Sequence, residues 1–240
     1  MDADISTLAG RPLGDEWPVR FHIAFVFEVP LGPLEAQLPD GLSAMEPVPG
    51  VGLLSVIHAR YAPGTLGRPS FDEIVCSALV APDLSVDMPP PRLTFYVLRV
   101  ASNDGAFVAH KIEALKMPVF HVPSLRAELD EDRLGTRVRD DDGEVMRLRY
   151  RSAAPHFAEK SFPGQYFADP AGPLHIGAWR WRGRLAEQQR RARGVGTLGA
   201  DHPFFARAGL RRSDPSAYLQ QVSAPDEVVR MWTYEPWSAR

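Results

Sequence analysis

Arg20-Phe21-His22-Ile23-Ala24-Phe25-Val26-Phe27-Glu28-Val29 is a ten-residue run rich in β-branched and aromatic side chains, and it stops at Pro30. Such a run, closed by a turn residue, reads as a strand that buries at least one face. Five further stretches have the same character: residues 52–61, 73–81, 92–101, 106–114 and 145–151, with Pro and Gly between them. Strand follows strand here. With 23 prolines and 19 glycines among 240 residues there is little room for long helices in the first two thirds. The expected architecture is mainly β, a large antiparallel barrel or sandwich forming one domain over residues 1–240, and not a doubly wound βαβ sheet. Two short helices are expected, over residues 31–38 and 183–193; the second contains Leu185-Ala186-Glu187-Gln188-Gln189, all helix-compatible. The cluster Arg139-Asp140-Asp141-Asp142-Gly143-Glu144 is expected at a hairpin tip.

Composition narrows the function classes. The chain is 45% hydrophobic and 24% charged, which is ordinary for a globular protein, and its net charge of −3 supplies no global field for nucleic acid or an anionic membrane. One cysteine, Cys76, excludes an intramolecular disulfide and every multi-cysteine motif, so a reducing cytoplasm is the expected location. The start, Met1-Asp2-Ala3-Asp4-Ile5, is acidic and unlike a secretory signal, and the apolar runs at 23–27 and 51–57 are far shorter than a membrane span. Met88-Pro89-Pro90-Pro91 reads as a stiff connector.

Several motifs carry less chemistry than their letters suggest. Gly194-Val195-Gly196-Thr197-Leu198-Gly199 matches the dinucleotide fingerprint but lacks the flanking strand and helix, and reads as a loop. Residues 179–193 hold six arginines against Glu187, interleaved with Trp179 and Trp181. Trp-Arg-Trp-Arg alternation is what a half-buried strand produces, so the segment reads as structure or a subunit contact, not a nucleic-acid site. The seven histidines, His22, His58, His110, His121, His156, His175 and His202, lack metal-ligand spacing, so neither a metal nor a cofactor is expected. Cys76, inside Ile74-Val75-Cys76-Ser77-Ala78-Leu79, reads as a buried inert thiol.

Lysine is rare: the 27 basic residues include only Lys111, Lys116 and Lys160. If residues 106–116 alternate as a strand, Val108, His110, Ile112, Ala114 and Lys116 share one face, with Lys111 and Glu113 on the other. Lys116 is then the inward amine. Among apolar side chains an ammonium is poorly solvated, so the neutral nucleophilic amine becomes populated. The competing reading turns Lys116 outward at the bend before Pro118.

From about residue 19 to residue 122 the chain resembles the acetoacetate decarboxylase superfamily. The resemblance rests on Val19-Arg20-Phe21, Leu38-Pro39-Asp40-Gly41-Leu42, Tyr61 with residues 67–73, and the segment 109–118. It implies a closed, cone-like antiparallel β-barrel with a few helices, a self-associating homo-oligomer, and a lysine that condenses with a ketone to an iminium. By the same resemblance Arg20 holds a substrate carboxylate and Glu73 orients substrate or moves a proton. Where the family places its reactive lysine a gapless alignment puts Met117, with Lys116 one residue earlier and Lys111 able to approach from across the barrel. The function expected is an enzyme acting on a small oxo acid or ketone, with Lys116 as Schiff-base amine and decarboxylation, aldol-type condensation or dehydration as its chemistry. Two alternatives keep the barrel: a non-catalytic small-ligand-binding module, and a lysine-independent enzyme using Glu73 with His58 or His110.

Overall fold

The structure is a computed structural model and describes residues 13–81, 93–130, 132, 134–152, 154–168, 174–206, 208, 210, 214–225, 227–234 and 237–238. The N-terminal pentapeptide and the proline run at 88–91 lie outside these. In chain order the elements are β1 (Leu13–Pro30), α1 (Leu31–Glu35), β2 (Val51–Tyr61), β3 (Asp72–Leu79), β4 (Leu93–Ser102), α2 (Gly105–Leu115), β5 (Val119–His121), β6 (Arg126–Asp130), β7 (Gly135–Asp140), β8 (Gly143–Arg149), β9 (Ala158–Ala168), β10 (His175–Gln188), β11 (Gly196–Leu198), β12 (Ala217–Ser223), β13 (Val229–Tyr234) and β14 (Trp237–Ser238). The protein is mainly β with few helices, as the sequence implied.

β1 pairs with β2, β2 with β3, and β3 with β4; β4 lies beside β9, β9 beside β10, and β10 beside β12 and β13, which both return to β1. The strands thus close into a hydrogen-bonded ring, the arrangement that leaves fewest bare edges. The sequence led us to expect antiparallel pairing throughout; instead β4 runs parallel to both β5 and β9. Parallel neighbours need a long crossover, and α2 supplies it for β5 while α2 and the second sheet together supply it for β9. That second sheet, in the order β11-β8-β7-β6, includes the hairpin whose tip carries Asp141 and Asp142.

A β-bulge in β1 decides which side chains face which way. Val19 is opposite Tyr61, but Phe21 is opposite Arg60, so Arg20 is an extra residue on its strand. Such an insertion exchanges the two faces of the strand beyond it. Before the bulge Trp17 and Val19 join an inner cluster with Tyr61, Phe107 and Trp181; beyond it Phe21, Ile23, Phe25 and Phe27 join the larger outer core beneath the second sheet, with Val138, Met146 and Leu148. Phe25 and Phe27 are completely buried there, each contributing roughly 2–3 kcal/mol of apolar transfer free energy.

Two expected elements are corrected. Residues 106–114 are not a strand but lie in α2: the Asp104 side chain accepts from the Phe107 N–H at 2.9 Å, and Phe107, Val108, Lys111 and Leu115 form its buried stripe. Those positions follow the 3.6-residue period, and the Asp cap satisfies an otherwise orphaned donor. Residues 183–193 are not a helix, because β10 continues to Gln188, held by β9 on one side and β12 and β13 on the other. Two sets of backbone partners and an inward Trp181 and Leu185 outweigh the helix propensity of the local residues. The expected helix after Pro30 is present as α1, ending at Glu35. No helix among the described residues is long and apolar enough to cross a membrane.

Candidate active site

The inner face of the ring holds a cavity of about 80 Å³ lined from β2, β3, β4, β9, β10, β13 and α2. Among the described residues two charged side chains reach it, Glu73 from the start of β3 and Lys111 from the buried stripe of α2. Lys111 Nζ stands 3.5 Å from Glu73 Oε1, with both side chains at most 5% exposed. The other carboxylate oxygen, Oε2, accepts a 2.6 Å hydrogen bond from the Tyr61 hydroxyl. Burial, reinforced by the Glu73 charge and this hydrogen bond, raises the Tyr61 phenol well above its ordinary value, so Tyr61 is a fixed donor at neutral pH. The ammonium of Lys111 also lies 4.9 Å from the Phe107 ring centre and 5.3 Å from that of Trp17, within cation–π range.

Apart from Ser77 the remaining walls are apolar and aromatic, and two glycines make them possible. Trp179 lies opposite Gly164 and Tyr166 opposite Gly177 across the β9–β10 pair. A Cβ at Gly164 would fall inside the Trp179 indole, and one at Gly177 inside the Tyr166 ring. Each ring therefore lies flat over a bare backbone. Tyr166 also donates from its hydroxyl to the Leu115 carbonyl at 3.1 Å, tying the end of α2 to the cavity wall.

Of the residues expected at a site, Glu73 and Lys111 meet in the cavity and four do not. Lys116 is the left-handed cap that ends α2, at φ 54° and ψ 32°, and its Nζ donates to the Glu113 carbonyl at 2.6 Å outside the cavity. The strand reading had turned Lys116 inward and Lys111 outward; helical geometry reverses both, and Met117 takes a place in the cavity wall. Arg20 is exposed, carried out of the ring by the bulge. His58 is buried on the outer face, where its Nε2 contacts Asp72 Oδ1 at 3.0 Å. Burial acts to raise the Asp72 carboxyl, but hydrogen bonds from His58 and the Arg60 guanidinium outweigh it and hold the group below the usual carboxylate range. His110, half-buried midway along α2, pairs through Nε2 with Asp15 at 2.9 Å.

Sequence reasoning gave no site role to His22. Its side chain lies inward beyond the bulge, with the ring centre 4.3 Å from that of Trp181. Tyr61 was visible only as a motif letter, since its pairing with Glu73 requires the β2–β3 register.

Elsewhere, Cys76 is buried in the outer core, and burial pushes its thiol up, as befits an inert residue. Asp140, Asp142 and His202 cluster at the β7–β8 tip. Both nitrogens of His202 are engaged there, Nδ1 accepting from the Phe204 N–H and Nε2 facing Asp140 at 2.9 Å. Residues 194–199 enter the short β11, and a side chain at Gly196 would strike Phe27. On β10 the arginines point outward, Arg182 to Glu159 and Arg184 to Glu227.

In sequence the chain matches no family profile and no curated relative. In structure it is similar to an acetoacetate decarboxylase at TM-score 0.63 and 11% identity, covering 99% of this chain and 98% of that one. It is also similar to MppR, an enduracididine biosynthesis enzyme solved with pyruvate and with the condensation product of pyruvate and imidazole 4-carboxaldehyde. The TM-scores are 0.57 and 0.59 at 11% identity, covering 96% of this chain and 92% and 91% of those. An acetoacetate decarboxylase-like enzyme from Sphingomonas wittichii RW1 aligns at TM-score 0.52 and 12% identity over 95% of both chains. The chain has the acetoacetate decarboxylase-like fold.

Proposed function

We propose that the acetoacetate decarboxylase-like fold here serves an enzyme that condenses Lys111 with a small carbonyl compound, an oxo acid or ketone, inside a cone-like barrel. The observation that carries this reading is the buried Lys111–Glu73 pair in the wall of a largely apolar cavity. A mostly apolar pocket with a few convergent polar groups is the usual form of a small-molecule site. The solved structures of MppR with pyruvate and its condensation product support the substrate size.

The pair can perform the whole proton traffic of imine formation. Glu73 takes a proton from the Lys111 ammonium, and the neutral amine attacks the carbonyl carbon, forming the C–N bond. Two protons pass to the carbonyl oxygen, one from the nitrogen and one from Glu73, and it leaves as water. The product is an iminium, an electron sink for a neighbouring bond to break into. Tyr61, bonded to the far oxygen of Glu73, fixes the carboxylate with its free oxygen toward the amine.

Incubation with acetone, pyruvate or acetoacetate in the presence of cyanoborohydride, followed by intact mass and peptide mapping, tests this. The expected result is one adduct on Lys111, absent from Lys111→Met. Adducts confined to Lys116 and Lys160, or none with any of the three compounds, would reject Schiff-base chemistry at this site.

A further inference from the structure

The charge balance of the cavity defines its substrate more narrowly. Its charged lining among the described residues is one ammonium, Lys111, and one carboxylate, Glu73, which offset each other. A substrate carboxylate entering this space would leave two carboxylates facing one cation. Burying an uncompensated carboxylate is strongly unfavourable even after the surroundings relax. Forming the imine does not help, because the iminium inherits the single positive charge that Lys111 already carried.

Arg20, Arg60 and Arg68 all lie outside the cavity lining. Arg20 is exposed at the bulge. Arg60 lies on the outer face, bidentate to Asp72 at 2.8 and 3.0 Å and also donating to the Ala127 carbonyl. Arg68 donates to Asp104 at 2.8 Å beyond the end of α2. None of them lines the cavity. What surrounds the pair instead is Phe95, Val97, Trp179, Trp181, Met117 and Met231, side chains that favour an uncharged guest.

We infer that the substrate is an uncharged small aldehyde or ketone, so that the reaction breaks or forms a C–H or C–C bond next to the imine without loss of CO₂. This rests on the Schiff-base reading above. In the first step available to such an iminium, Glu73 removes a proton from the α-carbon. The C–H electron pair becomes the C=C of an enamine, and the C=N pair moves to nitrogen. The enamine can then add to a second aldehyde, forming a C–C bond, and water releases the product from Lys111. Atoms and charge balance with no redox partner.

Two measurements separate the charge preference from the imine. In the first, quenching of the cavity tryptophans is titrated with isobutyramide and with isobutyrate, which match in shape and cannot condense. The amide is expected to bind at least tenfold more tightly, and equal or tighter binding of the carboxylate overturns the inference. In the second, cyanoborohydride trapping on Lys111 is compared for butanone and pyruvate at equal concentration, with at least tenfold faster labelling expected for butanone. Labelling as fast with pyruvate overturns the uncharged substrate while leaving the Schiff base standing. Preference for the amide with no adduct from either carbonyl removes the imine, and with it the reaction inferred here.

Discussion

Lys111 and Glu73 face each other across 3.5 Å, one from the buried stripe of α2 and the other from the ring strand β3, both sealed from solvent. A Coulomb pair at this depth interacts far more strongly than at a surface, but each partner has also lost its hydration. Its stabilising worth depends on its remaining hydrogen bonds. Glu73 Oε2 has the Tyr61 hydroxyl, whereas Oε1 has no hydrogen-bond partner and faces only the ammonium. The pair is held in place by neighbours that contribute packing, and both of its members belong to the cavity lining.

Removing one partner should therefore be worse than removing both. Lys111→Met leaves a buried carboxylate unpaired and is expected to lower stability by about 3–5 kcal/mol. The Lys111→Met/Glu73→Gln double variant removes both charges at similar volume and should recover most of that loss. Urea midpoints of the two variants check this, and a double variant no more stable than the single one would contradict the buried pair.

Lys116 makes the opposite prediction. As a non-glycine residue at φ 54° closing α2, it occupies a conformation that glycine adopts without steric cost. Lys116→Gly is expected to stabilise the protein by about 0.5–1 kcal/mol, a rise of roughly 1–4 °C in melting temperature. Carbonyl trapping on Lys111 should be unchanged in this variant. A loss of trapping would restore Lys116 to the site.

The contrast between these lysines shows how far sequence could reach. The strands were legible because β1, β2, β3 and β4 are rich in β-branched and aromatic residues bounded by Pro and Gly. The segment 105–115 was not, because its apolar residues fit either period and only the Asp104 cap favoured a helix. Misreading the period exchanged the two lysines. Arg20 was misplaced for a different reason: a bulge is decided by the pairing partner, and nothing within residues 19–21 announces that β2 will skip one of them. β10 was misread over 183–188 because its helix-compatible residues are overruled by partners far away in sequence. Glu73 was found through a family likeness, and its bond to Tyr61 became visible only with the β2–β3 register.

The cavity wall depends on glycine where two strands carry aromatic rings. Gly164→Ala puts a methyl group inside the Trp179 indole, which must then leave its position. Overpacking of this kind is expected to cost about 1–3 kcal/mol, and displacement of an indole from the wall should shift the tryptophan emission and slow trapping on Lys111. Gly32→Ala is the control, since a methyl there meets nothing within 4 Å. Equal behaviour of the two variants in emission and stability would show that the ring does not rest on Gly164.

His22 gives the protein an acid-sensitive element. Burial, with a smaller effect from His58, pushes its imidazole down from 6.5 to about 3, and its Nδ1 has no hydrogen-bond partner. Between those values the unfolded chain binds a proton that the native state does not, so stability rises with pH across this window and falls as pH drops below about 6.5. The loss approaches about 1.4 kcal/mol per pH unit, reaching roughly 2 kcal/mol at pH 5 relative to neutral pH. Asp72 adds a second loss at lower pH, when its depressed carboxyl is finally protonated. His22→Phe keeps a ring against Trp181 and retains the backbone N–H bond to the Ser223 hydroxyl at 2.9 Å. Urea denaturation at pH 7.5, 6 and 5 should therefore show a wild-type midpoint that falls with pH, and a His22→Phe midpoint whose decline over the same interval is smaller by about 2 kcal/mol. Parallel declines in the two proteins would mean that His22 is protonated in the native state as readily as in the unfolded one.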